Sequence, residues 1–78
     1  MRLAETKNYS VESIRTILDN YMKQNKTLLY KELNLENRLL KFQIEKATEA
    51  MKSMLNLMEQ GFSEAEAWEM VSKEIVYF

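Results

Sequence analysis

The sequence predicts an all-α protein, a three-helix chain with a short first helix, a long central helix and a short, capped C-terminal helix. The 78 residues include one glycine and no proline, so little in the chain interrupts a helix. Apolar residues recur at spacings of three and four, as on one face of a helix. Gly61 lies just before Ser63, a pattern typical of one helix ending and the next one starting.

The first helix is predicted to start after Ser10, whose hydroxyl can accept a hydrogen bond from a free amide at a helix start. We expect residues 1–9 to form an N-terminal tail and residues 10–78 to form a single helical domain. The apolar face of this helix contains Val11, Ile14, Ile17, Leu18, Tyr21 and Met22. Asn25 and Thr27 favour a weak break, with Thr27 capping the next helix, and a continuous helix is the alternative.

The central helix is predicted to run from about Leu28 to Gln60. Its main apolar stripe contains Leu29, Leu33, Leu40, Ile44, Ala47, Met51, Met54, Leu55 and Met58. A second apolar set in the first half contains Leu28, Leu35, Leu39 and Phe42, so this half is expected to contact two neighbours. Asn34 and Asn37 are the poorest helix formers in this region and mark a possible kink.

The second helix boundary is predicted from Gly61, which can adopt a left-handed conformation at the end of a helix. Ser63 and Glu66 are three residues apart and match a capping box, in which each side chain binds the other residue's amide. The last helix is expected to end near Val76. Its predicted inner face contains Ala65, Trp68, Val71 and Ile75.

The length of the central helix predicts self-association. An unbroken helix of about 33 residues is roughly 50 Å long, whereas a compact chain of this size has a radius of gyration near 12 Å. The chain must therefore bend near Asn34–Asn37 or pair with a second molecule. We favour a dimeric helical bundle, with a bent three-helix monomer as the alternative. The expected interface residues are Leu28, Leu35, Leu39, Phe42, Met51, Met54 and Met58.

Composition argues against catalysis and metal binding. The chain has no His and no Cys, so it lacks the usual base near neutral pH, a thiol nucleophile and the common zinc ligands. A single glycine allows no phosphate-binding loop. We therefore predict no enzyme activity, no cofactor and no metal site. Disulfides are also excluded, which leaves association as the remaining source of extra stability for a small core.

The termini and hydropathy predict a cytoplasmic protein. No apolar segment follows the charged start as in a signal peptide, and no apolar run approaches the ~20 residues of a membrane span. The formal net charge of −1 indicates no strong general attraction to nucleic acid.

Two segments of the chain resemble a known family. The first comprises Tyr21–Tyr30, the leucines that follow, and Glu45–Met51; the second is Ala67–Tyr77. Together they resemble the small transposon-encoded TnpV family, in which a Tyr- and Lys-containing segment precedes a leucine-rich helix and the chain ends on Glu-Leu-Val-Tyr. Family members have a longer N-terminal region and a longer segment where this chain has Gly61–Ser63. The resemblance implies a mobile-element origin (transposon, plasmid or phage) and no particular activity.

These observations favour a small non-enzymatic protein-protein interaction module of mobile-element origin that forms a homodimer. One alternative is a DNA-binding accessory protein of a mobile element, which would use Lys23, Lys26 and Lys31 beside two tyrosines. A second alternative is an inhibitor of a host defence nuclease, as anti-CRISPR proteins are. It would present Glu64, Glu69 and Glu74 to a basic protein surface.

Overall fold

The computed structural model describes residues 9–76, which form four helices and no strand. The helices are α1 (Val11–Asn25), α2 (Thr27–Leu35), α3 (Leu39–Glu59) and α4 (Glu64–Ile75). The predicted all-α class is therefore confirmed. The prediction of one unbroken central helix over residues 28–60 is wrong, because α2 and α3 are separate helices. The break lies at the kink predicted near Asn34–Asn37, so the chain does bend there.

The start of α1 is a capping box. The hydroxyl oxygen of Ser10 accepts a hydrogen bond from the Ser13 amide at 3.1 Å, and the Ser13 hydroxyl oxygen accepts one from the Ser10 amide at 2.8 Å. The predicted cap at Ser10 is confirmed. Of the predicted tail, only Tyr9 lies within the described residues, and its ring stacks on Trp68 of α4 with centroids 4.8 Å apart.

A single residue, Lys26, separates α1 from α2, with φ −130° and ψ 48°. Its amide still donates to the Met22 carbonyl at 2.9 Å, and its carbonyl accepts from the Tyr30 amide at 2.9 Å. The predicted break is confirmed and the continuous alternative is wrong. Thr27 does not cap α2, because its hydroxyl instead donates to the Lys23 carbonyl at 3.2 Å.

The turn between α2 and α3 is built on Asn37, which has a positive φ of 58°. The Asn37 amide donates to the Asn34 carbonyl at 3.2 Å, and the Arg38 amide donates to the Leu33 carbonyl at 2.8 Å. These two bonds form a Schellman motif, in which a left-handed residue satisfies the free carbonyls at a helix end. Asparagine adopts this conformation more readily than most residues, so the turn needs no glycine.

The end of α3 is a second Schellman motif, in which Gly61 is the left-handed residue, as the sequence predicted. Gly61 has φ 107°, its amide donates to the Met58 carbonyl at 3.1 Å, and the Phe62 amide donates to the Leu57 carbonyl at 3.2 Å. The predicted capping box follows, with the Ser63 hydroxyl accepting from the Glu66 amide at 3.2 Å and Glu66 accepting from the Ser63 amide at 3.0 Å. The hydrogen bond from the Ser63 amide lowers the pKa of Glu66.

The central element is α3, against which both α1 and α4 pack. The fold is elongated, with extents of 45 × 19 × 17 Å. The buried apolar residues are Ile14, Leu18, Met22, Leu33, Ala47, Ala50, Met54, Ala67, Val71 and Ile75. In α4 the predicted inner face is confirmed at Val71 and Ile75. It is wrong at Ala65, which is exposed while Ala67 is buried, and Trp68 is half-buried.

Membrane crossing requires a helix that is both long and apolar, and residues 9–76 contain none.

Replacing Asn37 tests the turn that divides the chain. A left-handed conformation costs an ordinary L-residue about 1–2 kcal/mol, whereas glycine adopts it freely. We expect Asn37→Ala to lower the free energy of unfolding by about 1 kcal/mol and Asn37→Gly to leave it nearly unchanged. Urea unfolding followed by circular dichroism measures both. Asn34→Ala, inside α2, is the matched control and should not destabilise. Equal stability of the Ala and Gly variants at position 37 would contradict this turn geometry.

Candidate interaction surface

The predicted interface residues separate into three groups by burial. Leu28 and Leu35 in α2 are 78% and 83% exposed. Four others are half-buried and pack against the core: Leu39, Phe42, Met51 and Met58. Met54 is fully buried, so its predicted interface role is wrong, because its side chain is enclosed by the chain's own core.

The inner face of α3 has a different register from the predicted stripe. The buried residues of this helix are Gln43, Ala47, Ala50 and Met54. Leu40 and Ile44, which belong to the predicted stripe, are instead 59% and 41% exposed. A glutamine therefore occupies an inward position that an apolar pattern would assign to its neighbours.

Gln43 is the buried polar residue of the described chain and joins α3 to α1. Its Nε2 donates to Asp19 Oδ1 at 2.9 Å, and its Oε1 accepts from Arg15 Nη1 at 3.3 Å. The Met22 sulfur lies 3.8 Å from Nε2. Every buried side-chain nitrogen and oxygen in residues 9–76 has a hydrogen-bond partner. The amide is thus accommodated only because Arg15 and Asp19 lie opposite it.

Asp19 connects this contact to further charges. Its second carboxylate oxygen lies 3.0 Å from Lys23 Nζ. Burial raises the pKa of Asp19, but the hydrogen bonds from Gln43 and Lys23 outweigh that effect, so the pKa lies below its ordinary value of 3.8. On the other side of Gln43, Arg15 pairs with Glu12 at 2.6 Å, and this contact lowers the pKa of Glu12.

The three lysines suggested for nucleic-acid contact are in different environments. Lys23 is paired with Asp19 and lies 5.7 Å from the centre of the Tyr30 ring. Lys26 is half-buried at the junction of α1 and α2, and Lys31 is exposed. The Lys23 charge is therefore already balanced within the fold.

The three glutamates suggested as an acidic surface do not share one face of α4. Successive members are five residues apart, which separates them by about 140° around a helix. Glu64 is half-buried in the first turn, and Glu69 is exposed. Glu74 borders a shallow cleft of about 100 Å³ between α3 and α4, which Lys46, Glu49 and Ser53 line on the α3 side.

Large exposed aliphatic side chains are concentrated on the two helices that the Asn37 turn joins. Ile17 of α1 is 42% exposed as well, and we call the four residues on α2 and α3, Leu28, Leu35, Leu40 and Ile44, the aliphatic face. Leu28 and Leu35 are seven residues apart and lie on the same side of α2, while Leu40 and Ile44 are four apart and share a side of α3. A helix surface of this kind is suited to pack against another helix.

Residues 9–76 contain no group of three or more acidic, His or Cys side chains that could hold a metal ion. Comparison with protein-family models, curated proteins and solved structures finds no match for this chain. The TnpV resemblance therefore stays a prediction.

The Asp19 contact predicts a specific dependence of stability on pH. Because its pKa is lower in the folded state, the carboxylate stabilises the fold above its unfolded pKa, and this contribution is lost as pH falls through the lower, folded value. We expect Asp19→Asn to lower the free energy of unfolding by about 1 kcal/mol at pH 7. The difference from wild type should shrink as pH falls below about 4.

Urea unfolding at a series of pH values measures this difference, with Glu69→Gln, an exposed acid on α4 outside the contact, as the control. A gap between Asp19→Asn and wild type that persists unchanged to pH 2 would contradict the assignment.

Proposed function

We propose that this protein is a non-enzymatic interaction module that self-associates as a homodimer through its aliphatic face. The observation that carries this proposal is the exposure of Leu28 and Leu35, at 78% and 83%, together with Leu40 and Ile44 on the next helix. Large apolar side chains left exposed in such a group are typical of a protein-protein contact. Covering it removes apolar area from water at about 25 cal/mol per Å².

The size of the chain supports the same proposal. A domain this small buries only about 60% of its unfolded surface, and the 78 residues include no Cys and no His to supply a disulfide or a zinc site. Pairing of two copies adds buried apolar surface without any new chemistry. A symmetric dimer also uses the same patch twice, which is the commonest arrangement among soluble oligomers.

The two alternative functions have weaker support. DNA binding would rely on a lysine cluster in which Lys23 is already paired with Asp19, in a chain with net charge −1. Inhibition of a nuclease through α4 would rely on three glutamates that point in different directions around the helix. We retain a mobile-element origin as part of the proposal on the TnpV resemblance alone.

Sedimentation equilibrium from low to high micromolar concentration tests the proposed function. We expect wild type to dimerise and the double variant Leu40→Glu/Ile44→Glu to dimerise at least tenfold more weakly, because each charge would have to be buried at the contact. Both side chains are exposed in the subunit, so the helical circular dichroism should be unchanged.

Met70→Glu is the matched control, because Met70 is 44% exposed on α4, away from the aliphatic face. It should leave the dimerisation constant unchanged. A wild-type protein that remains monomeric at high micromolar concentration would refute the proposal, as would a double variant that dimerises like wild type.

A further inference from the structure

We propose, building on the proposed self-association, that two copies pair through their α3 helices in antiparallel orientation around a two-fold axis beside Thr48 and Met51. This contact uses the α3 part of the aliphatic face, Leu40 and Ile44, and extends it along the helix; its occupant is a second copy of this chain. The argument starts from which sides of α3 the chain already covers.

Two sides of α3 are occupied within the subunit. The inner face is buried beneath α1 and α4. The flank that carries Lys46 and Ser53 borders α4 across the shallow cleft. Each residue advances about 100° around a helix, so Ile44 and Leu55, two positions from Lys46 and Ser53, lie nearly opposite that cleft.

This remaining side, the open flank of α3, is apolar along almost the whole helix. It contains Leu40, Ile44, Thr48, Met51, Leu55 and Met58, at successive spacings of four, four, three, four and three. Leu40 and Ile44 are exposed and the other four are half-buried. The flank is about 27 Å long, and its spacing is the one that packs helices side by side.

The open flank is self-complementary when it is read in opposite directions. When Thr48 lies opposite Met51 of a second copy, an antiparallel pairing sets Ile44 opposite Leu55 and Leu40 opposite Met58, to within one residue. Each small or branched side chain then faces a longer, flexible one, and methionine fills irregular gaps well. The two-fold symmetry repeats all three contacts.

The charges along the outer border of the flank follow the same reversed pattern. This border carries Lys41, Glu45, Lys52 and Glu59, all exposed, and no ion pair engages any of them within residues 9–76. In the antiparallel register Glu45 comes beside Lys52 of the second copy, and Lys41 comes beside Glu59. In a parallel pairing around a two-fold axis, the outer borders of the two copies would lie on opposite edges of the contact, so these charges would not meet.

The size of the contact sets the expected affinity. A single helix pair over about 27 Å lies at the small end of specific protein interfaces, so we expect micromolar dissociation constants. The charged residues along the outer border contribute mainly to the orientation and register of the two helices, because exposed ion pairs are individually weak.

Charge exchange that preserves the net charge tests the antiparallel register. We expect Lys52→Glu and Glu45→Lys each to raise the dimer dissociation constant about tenfold, because the two-fold axis turns two attractive contacts into repulsive ones. The double variant Lys52→Glu/Glu45→Lys should return to within about threefold of wild type. The control Lys52→Glu/Glu69→Lys has the same net charge as wild type but places the new lysine on α4. It should dimerise as weakly as Lys52→Glu alone.

Sedimentation equilibrium measures all variants, and circular dichroism verifies that each is as helical as wild type. If wild type dimerises but the Glu45–Lys52 exchange recovers no more than the Glu69 control, the antiparallel register is refuted and the proposed self-association stands. If wild type does not dimerise, both fall together.

Discussion

The contact between Gln43 and the Arg15–Asp19 pair is the interaction on which the rest of the structure depends. Gln43 is 1% exposed where α3 packs on α1, and an unsatisfied buried amide costs about 1–3 kcal/mol. Its two ends are satisfied only when Asp19 and Arg15 face it. Sliding α1 by one residue moves these groups by about 1.5 Å and rotates them by about 100°. Alanine and methionine side chains tolerate such shifts far better, so the amide selects one register.

The register of α1 on α3 determines which residues of α3 are exposed to solvent. With Gln43 directed inward, Ala47, Ala50 and Met54 follow it into the core. Leu40 and Ile44 are then carried to the outside, although a core centred on them would bury larger side chains. The exposed aliphatic surface is therefore a consequence of satisfying a polar group. A core rich in alanine also lets helices approach closely, which agrees with the narrow cross-section of 19 × 17 Å.

The parts of the fold that depend on local hydrogen bonds were predictable from sequence. The caps at Ser10 and Ser63 and the end at Gly61 each need only residues within one turn. The division at Asn37 was indicated only as a possible kink, because asparagine permits a left-handed turn without requiring one. The burial of Gln43 was not predicted. The apolar spacing along α3 fits an inner face that contains Leu40 and Ile44 equally well, and a glutamine is ordinarily exposed. A signal was present in the spacing of Arg15 and Asp19, four residues apart beside the apolar face of α1.

The stacking of Tyr9 on Trp68 provides the molecule with an internal optical probe. Trp68 is the only tryptophan in the 78 residues, and its ring lies 4.8 Å from a tyrosine just before α1. The emission of this indole therefore reports how the beginning of the chain is seated on its last helix. The Asn37 turn lies on a different part of the structure, at the start of α3. Intrinsic fluorescence thus follows this contact alone, whereas far-ultraviolet dichroism follows all four helices, and a mismatch between their melting curves would reveal one region loosening before the rest.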